Sequence, residues 1–185
     1  MSRYIIIFLP YFIFSQNNYS LNFDGEDDYV DLGVNLYNSD QGTIMCWMKF
    51  EDGASATDGT NHTPIFSQSE GSSFSNSMRL AVLNNQWFFV VDYRSCSNNL
   101  YPSAEAETIL NSNTWYHLAV TSNGENWQLY INGEIVTYVL DSATPQQNGE
   151  WFADQCEGDK QDYIGRWQRS ISDDYFLGNI DDFQI

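Results

Sequence analysis

Residues 113–134 read NTWYHLAVTSNGENWQLYINGE, and this stretch decides what kind of fold the chain can adopt. Two runs rich in aromatic and β-branched residues flank the turn SNGEN at Ser122–Asn126, and Asn132–Gly133–Glu134 closes the second run as a tight hairpin. The side-chain pattern repeats every two residues. Trp115, His117, Ala119 and Thr121 share one side, with Tyr116, Leu118 and Val120 on the other. Trp127, Leu129 and Ile131 share a side that faces a core. That period belongs to strands, not helices.

Working outward, GTIMCWMKF (42–50), QWFFVVDYR (86–94) and EIVTYVLD (134–141) have the same character, and turn signals such as LNNQ (83–86) divide them. No segment carries a long apolar stripe at helical spacing. Short strands at near-regular intervals predict an all-β chain, an antiparallel sandwich or barrel. A length of 185 residues suits one domain, and 42% hydrophobic with 16% aromatic residues is enough for a packed core.

The charge balance is 7 basic against 25 acidic residues, a formal net charge of -18. That argues against nucleic acid and anionic lipid, since both need clustered Lys and Arg. It leaves carboxylates free for a hard cation such as calcium. The first residues, MSRYIIIFLPYFIFS, combine an early Arg, an apolar run and a small residue at a cleavage point. They predict a secretory signal over 1–15, a mature domain over 16–185, and a secreted or cell-surface location with no membrane span after cleavage. The run is shorter than the ~20 residues a spanning helix needs.

Export permits a disulfide. Cys46 lies inside an apolar strand and reads as a small buried hydrophobe. Cys96 and Cys156 lie in the polar loops YRSCSNN and ADQCEGD and are expected to pair, the alternative being two free thiols. No Cys-x-x-Cys exists, and only His62 and His117 could complete a zinc site.

The opening stretch LNFDGEDDYVDLG (21–33) sets Asp24, Glu26, Asp27, Asp28 and Asp31 among residues of two short strands. These acids are either solvated turn residues or ligands of something positive. The stretch resembles the opening strand pair of laminin G-like jelly-roll domains, of the concanavalin A-like lectin/glucanase superfamily. GTIMCWMKF looks like the next strand of that family, with Cys46 in the place of its usual small residue before Trp47. The 113–134 hairpin is similar to the family's central hairpin. YIGRW (163–167) and FLGNIDDFQI (176–185) look like its last strands. The resemblance covers nearly all of Leu21–Ile185. It implies two packed antiparallel sheets in a jelly roll, with the first and last strands adjacent. It also implies a structural calcium between them, with Asp24 and Asp181 as first ligands and Asp182 as third; Glu26 and Asp31 are expected to face water. Members commonly continue past the final Ile with an aromatic residue. This chain stops there, which predicts a truncated domain of a longer, multidomain protein.

Glycosidases of the superfamily place two or three acids on one strand, in a Glu-x-Asp-x-x-Glu pattern that is absent here. AEAET, with Glu105 and Glu107 on one side, is the nearest imitation. His117 lacks a nucleophile motif and reads as a packed sheet residue. Sugar binding would use aromatic faces, and Trp87, Tyr93, Tyr101, Trp151 and Trp167 are the candidates, against core packing for each. NGEWFADQ (148–155) is the most suggestive loop, with Trp151 beside Asp154 and Gln155. Asn18 and Asn61 sit in N-glycosylation signals. The sequence therefore predicts a secreted, non-catalytic module that recognises glycan or extracellular protein. A divergent glycan-cleaving enzyme and a structural accessory domain remain the alternatives.

Overall fold

A computed structural model describes residues 19–52, 62–71, 76–92, 96, 101–140, 149–169 and 173–185. The expected signal, Asn18, Asn61 and Tyr93 lie outside the described residues. Among those described there is no α-helix, and no helix long and apolar enough to cross a membrane.

One sheet has six strands in the order β1 (Leu21–Asp24), β15 (Leu177–Gln184), β3 (Gly42–Phe50), β8 (Tyr116–Ser122), β9 (Trp127–Ile131) and β10 (Glu134–Val136). The other has seven: β11 (Tyr138–Leu140), β7 (Ser103–Ile109), β6 (Gln86–Asp92), β5 (Ser77–Leu83), β4 (His62–Ser69), β12 (Gln161–Ile164) and β2 (Val30–Val34). All pairings are antiparallel. A two-stranded ribbon, β13 (Arg166–Trp167) with β14 (Asp174–Tyr175), lies against β4. The two large sheets pack face to face as the expected antiparallel sandwich.

The alternation read from 113–134 holds. Leu118, Val120, Trp127, Leu129 and Ile131 enter the core, where they meet Met78, Leu80, Phe89 and Val91 of the opposite sheet. The tight turns form where the chain tolerates positive φ: Asn84 and Asn85 at +50° and +64°, Asn132 and Gly133 at +53° and +82°. Cys46 is fully buried, and burial pushes its thiol up to about 12.

Two details differ from the sequence reading. Leu21–Asp24 and Val30–Val34 do not pair with each other; they join different sheets. EIVTYVLD is likewise not one strand. It passes from the six-stranded to the seven-stranded sheet at Thr137, between β10 and β11. A continuous β-branched run specifies extended backbone but not which sheet each half joins.

Cys96 and Cys156 form the expected disulfide, with Cα atoms 5.7 Å apart and a sequence separation of 60. Cross-linking a loop of that length removes denatured-state entropy worth about 4 kcal/mol. Urea unfolding of a Cys96→Ser/Cys156→Ser variant is therefore expected to show a loss of stability approaching that value. A loss below about 1 kcal/mol would mean the bridge constrains little that is not already constrained.

Candidate functional site

The outer face of the seven-stranded sheet carries residues of the opposite parity to the core. From β5, β6 and β7 these are Arg79, Phe88, Asp92, Ser103 and Glu105. With Tyr101 and Val139 they line a cleft of 620 Å³. Its surroundings are held rigidly. The ring of Trp167 lies against two guanidinium groups, Arg79 at 3.7 Å and Arg169 at 4.9 Å from its centroid. The His62 ring stacks on Trp167 at 5.8 Å. Arg169 pairs with Asp174 at 2.5 Å, both side chains almost wholly buried. Tyr101 thus lines a cleft, as a binding residue should. Trp167 is buried against Arg79 of the lining, and Trp87 is core.

Trp151, Asp154 and Gln155 fall elsewhere. Trp151 is 0% exposed, against Phe89 and Phe152 with centroids 5.5 and 5.7 Å away. The expectation that it stacks on a sugar is corrected: no face of its ring reaches solvent. An apolar ring in a polar loop was read as surface, whereas the loop carries it into the sandwich. Asp154 accepts the Trp151 backbone N–H at 2.7 Å and closes a single 3-10 turn, Phe152–Asp154. Gln155 is buried and donates to Gln68 Oε1 at 2.8 Å. It lines a second, polar cleft of 450 Å³ at the rim.

The carboxylates expected around calcium do not converge. Asp24 pairs with Leu177 across β1 and β15, and Asp181 lies four positions further along β15. At ~3.3 Å per residue that separates them by roughly 13 Å, far beyond the reach of one ion. Asp181 sits opposite Trp47 on β3, and Asp182, at φ +45°, donates its N–H to Asp181 Oδ1. The expected set of Asp24, Asp181 and Asp182 does not fit one metal. Asp24 instead groups with Asp27 and Asp28, all exposed, with carboxylate oxygens within 4.8 Å. Its Oδ1 accepts the N–H groups of Glu26 and Asp27 at 2.8 and 3.3 Å. Those bonds hold the carboxyl below its ordinary pKa, Glu26 contributing most.

Glu105 pairs with Phe88, and Asp92 lies four positions along β6, which sets their Cα atoms roughly 13 Å apart in the cleft lining. Glu107 is exposed on the same strand. His117 lies on the outer face of the six-stranded sheet, 5.3 Å from the Trp47 ring.

Sequence reasoning missed Trp47 and Trp115 as ligand candidates. They are 40% and 39% exposed on that face, with Lys49 over the Trp115 ring at 5.8 Å. The signal was partial: Trp115 shares a side with His117 in its own run, whereas Trp47 faces His117 only through strand register.

The chain matches the laminin G family model of the concanavalin A-like lectin/glucanases superfamily over residues 24–185, and it belongs to that family. It is similar to the CBM40 of the Ruminococcus gnavus IT-sialidase bound to α2,3-sialyllactose, with TM-score 0.64 and 14% identity over 89% of both chains. Domains LG4-5 of the mouse laminin α1 chain give a TM-score of 0.54 at 14% identity, over 89% of this chain and 40% of that one. Domain 4 of AbnA, a GH43 extracellular arabinanase from Geobacillus stearothermophilus in complex with arabinotriose, gives 0.55 at 17% identity, over 89% and 67%. No curated protein matches by sequence. At these identities the structural likeness establishes the fold and no more.

Two outcomes test the geometry. Trp151→Ala is expected to cost about 3–5 kcal/mol in urea unfolding, as for a buried aromatic; a surface ligand residue would leave stability unchanged. Asp24→Asn and Asp181→Asn are expected to act additively on stability in calcium and in chelator. A coupling above about 0.5 kcal/mol that appears only in calcium would restore the shared ion.

Proposed function

We propose that this chain is a secreted, non-catalytic recognition module that binds glycan on the outer face of its seven-stranded sheet. The observation that carries the reading is the mixed lining of the 620 Å³ cleft. The rings of Phe88 and Tyr101 offer apolar faces to the C–H side of a sugar. Glu105, half-buried in the lining, offers carboxylate oxygens to its hydroxyls. Arg79 of the lining stacks on the Trp167 ring at 3.7 Å, which holds one wall of the cleft. Support also comes from the two similar structures that hold an oligosaccharide, α2,3-sialyllactose in one and arabinotriose in the other. Secretion rests on the amino-terminal apolar run. Calcium has Asp24, Asp27 and Asp28 as its remaining carboxylates, and the binding proposed here does not pass through them.

A second reading is favoured by one observation. Trp47 and Trp115 stand exposed on the opposite sheet face, and exposed aromatics of this kind suit docking of an extracellular protein.

A glycan array followed by titration tests the first reading. Tyr101→Ala and Glu105→Gln are each expected to weaken binding by about tenfold or more, equivalent to 1.4 kcal/mol. Trp47→Ala should leave it unchanged. Loss of binding in Trp47→Ala with none in the other two would move the site to the six-stranded sheet. Release of reducing ends from a bound glycan, abolished by Glu105→Gln, would make the chain an enzyme.

A further inference from the structure

Guanidinium groups in this chain sit where an aromatic face and a carboxylate meet. Arg166 lies over the rings of Tyr29 and Tyr163 at 4.5 and 4.6 Å and pairs with Asp173. Arg169 lies 4.9 Å from the Trp167 centroid and pairs with Asp174. The combination works because a guanidinium is flat and weakly hydrated. Its face stacks on a ring while its edge reaches a carboxylate. The outer face of the six-stranded sheet sets a ring beside a carboxylate in the same way, with no guanidinium over the ring among the described residues.

The ring is Trp47. On β3, Cys46 and Met48 enter the core, so Trp47 and Lys49 point outward. On β15, Ile180 enters the core, so Asp181 points outward. Asp181 is directly opposite Trp47 in the register, which places their Cβ atoms about 5 Å apart. Asp181 commits Oδ1 to the Asp182 N–H at 2.8 Å, and its Oδ2 has no partner among the described residues. On the other flank the His117 ring meets Trp47 edge-on at 5.3 Å, which leaves Trp47 40% exposed. Trp115 stands on the same face and already carries a cation, Lys49, at 5.8 Å from its centroid.

Charge selects the occupant. The six strands of this sheet contain Lys49 as their one Lys or Arg, against Asp24, Asp181, Asp182 and Glu134. The whole chain carries a net charge of -18. A second copy brings the same surplus and is repelled, and so is an anionic partner. A basic partner is attracted at long range, and on contact its arginine finds an indole face and a carboxylate oxygen together. We propose that the outer face of the six-stranded sheet docks a basic polypeptide, seating one arginine with its guanidinium stacked on Trp47 and paired with Asp181. This rests on the second reading above, in which the Trp47 face meets an extracellular protein, and it names that protein's chemistry.

The test is an NMR titration of the 15N-labelled protein with an octapeptide of alternating Gly and Arg, and with its Lys and Gln counterparts. Salt is held at about 0.15 M, where attraction between distant charges is screened. The Arg peptide is expected to shift the Trp47 indole N–H and to bind more tightly than the Lys peptide, with the Gln peptide silent. Trp47→Ala and Asp181→Asn, both at the surface, should each weaken binding about tenfold. Glu107→Gln, which removes an exposed carboxylate of the other sheet, should change it less than about twofold. Silence of the Trp47 indole towards the Arg peptide overturns the proposal, as does binding unchanged in Trp47→Ala. Equal losses in Asp181→Asn and Glu107→Gln overturn it too, because they reduce the effect to net charge. Equal binding of the Lys peptide removes the stacked guanidinium and overturns it. A Trp47 response to the Gln peptide as strong as to the Arg peptide overturns the basic partner and leaves the docking face standing. Indole shifts that grow with protein concentration before any peptide is added put a second copy on the face and overturn it. Shifts at Trp47 caused by a bound glycan make the face a glycan site, and the proposal and the second reading then fall together.

Discussion

The structure depends on the last strand entering between the first and the third. β15 pairs with β1 on one side and β3 on the other, so the two ends of the described chain meet within one sheet. The approach is close. A Cβ at Gly178 would collide with the Lys49 carbonyl oxygen, and its φ of +135° is one that other residues rarely adopt. Until that strand is in place, β1 has no partner in its sheet, and β3 pairs only with β8. Ile180 and Phe23 then close the core beside Phe176, whose ring meets that of Phe23 edge-on at 5.8 Å. Pairing of residues so distant in sequence is slow to form and cooperative once formed.

The charge distribution serves the same architecture. The chain has only seven basic residues, and four of them, Arg79, Lys160, Arg166 and Arg169, lie packed around β4, β12 and the β13–β14 ribbon. Arg166 sits over the rings of Tyr29 and Tyr163 at 4.5 and 4.6 Å and pairs with Asp173 at 2.5 Å. Guanidinium groups suit this role because they are weakly hydrated and lie flat on aromatic faces. Cations are spent internally, on joining the ribbon and the Tyr29 loop to the sheet, while most carboxylates stay in water. The large negative charge is thus a property of the surface, and it disfavours anionic partners at long range.

Much of this could be read from the chain. The period-two alternation separated the two faces of 114–122 and named the inward face of 127–131, and the polar settings of Cys96 and Cys156 pointed to their bridge. Adjacency of the first and last strands followed from the family resemblance. Register was another matter. Asp24 and Asp181 belong to neighbouring strands, yet only the pairing of Asp24 with Leu177 reveals the four-residue offset that keeps them apart. The sheet switch at Thr137 was hidden for the same reason, since β propensity is local and partner choice is not. The sheet-face cleft draws on four strands and a loop, so no contiguous motif announced it.

Trp151 shows most clearly how composition and placement part. Its loop is polar, and a tryptophan there suggested an exposed ring. Trp151 and Phe152 pack against the seven-stranded sheet: one ring meets Phe89 of β6, the other meets Phe66 of β4 and Tyr37. With those rings anchored, the residues that follow are held at the rim. Gln155 is carried against Gln68, and Cys156 is tied by its disulfide and by the Asn76 side chain, which accepts its N–H at 3.0 Å. Burial raises the Asp162 carboxyl, and the Leu36 N–H and the Gln68 amide offset part of that cost. An acid kept in such a position orients the amides in front of it. The segment that resembles a binding loop because of its tryptophan therefore uses that tryptophan for packing, and holds the glutamine four residues later against Gln68.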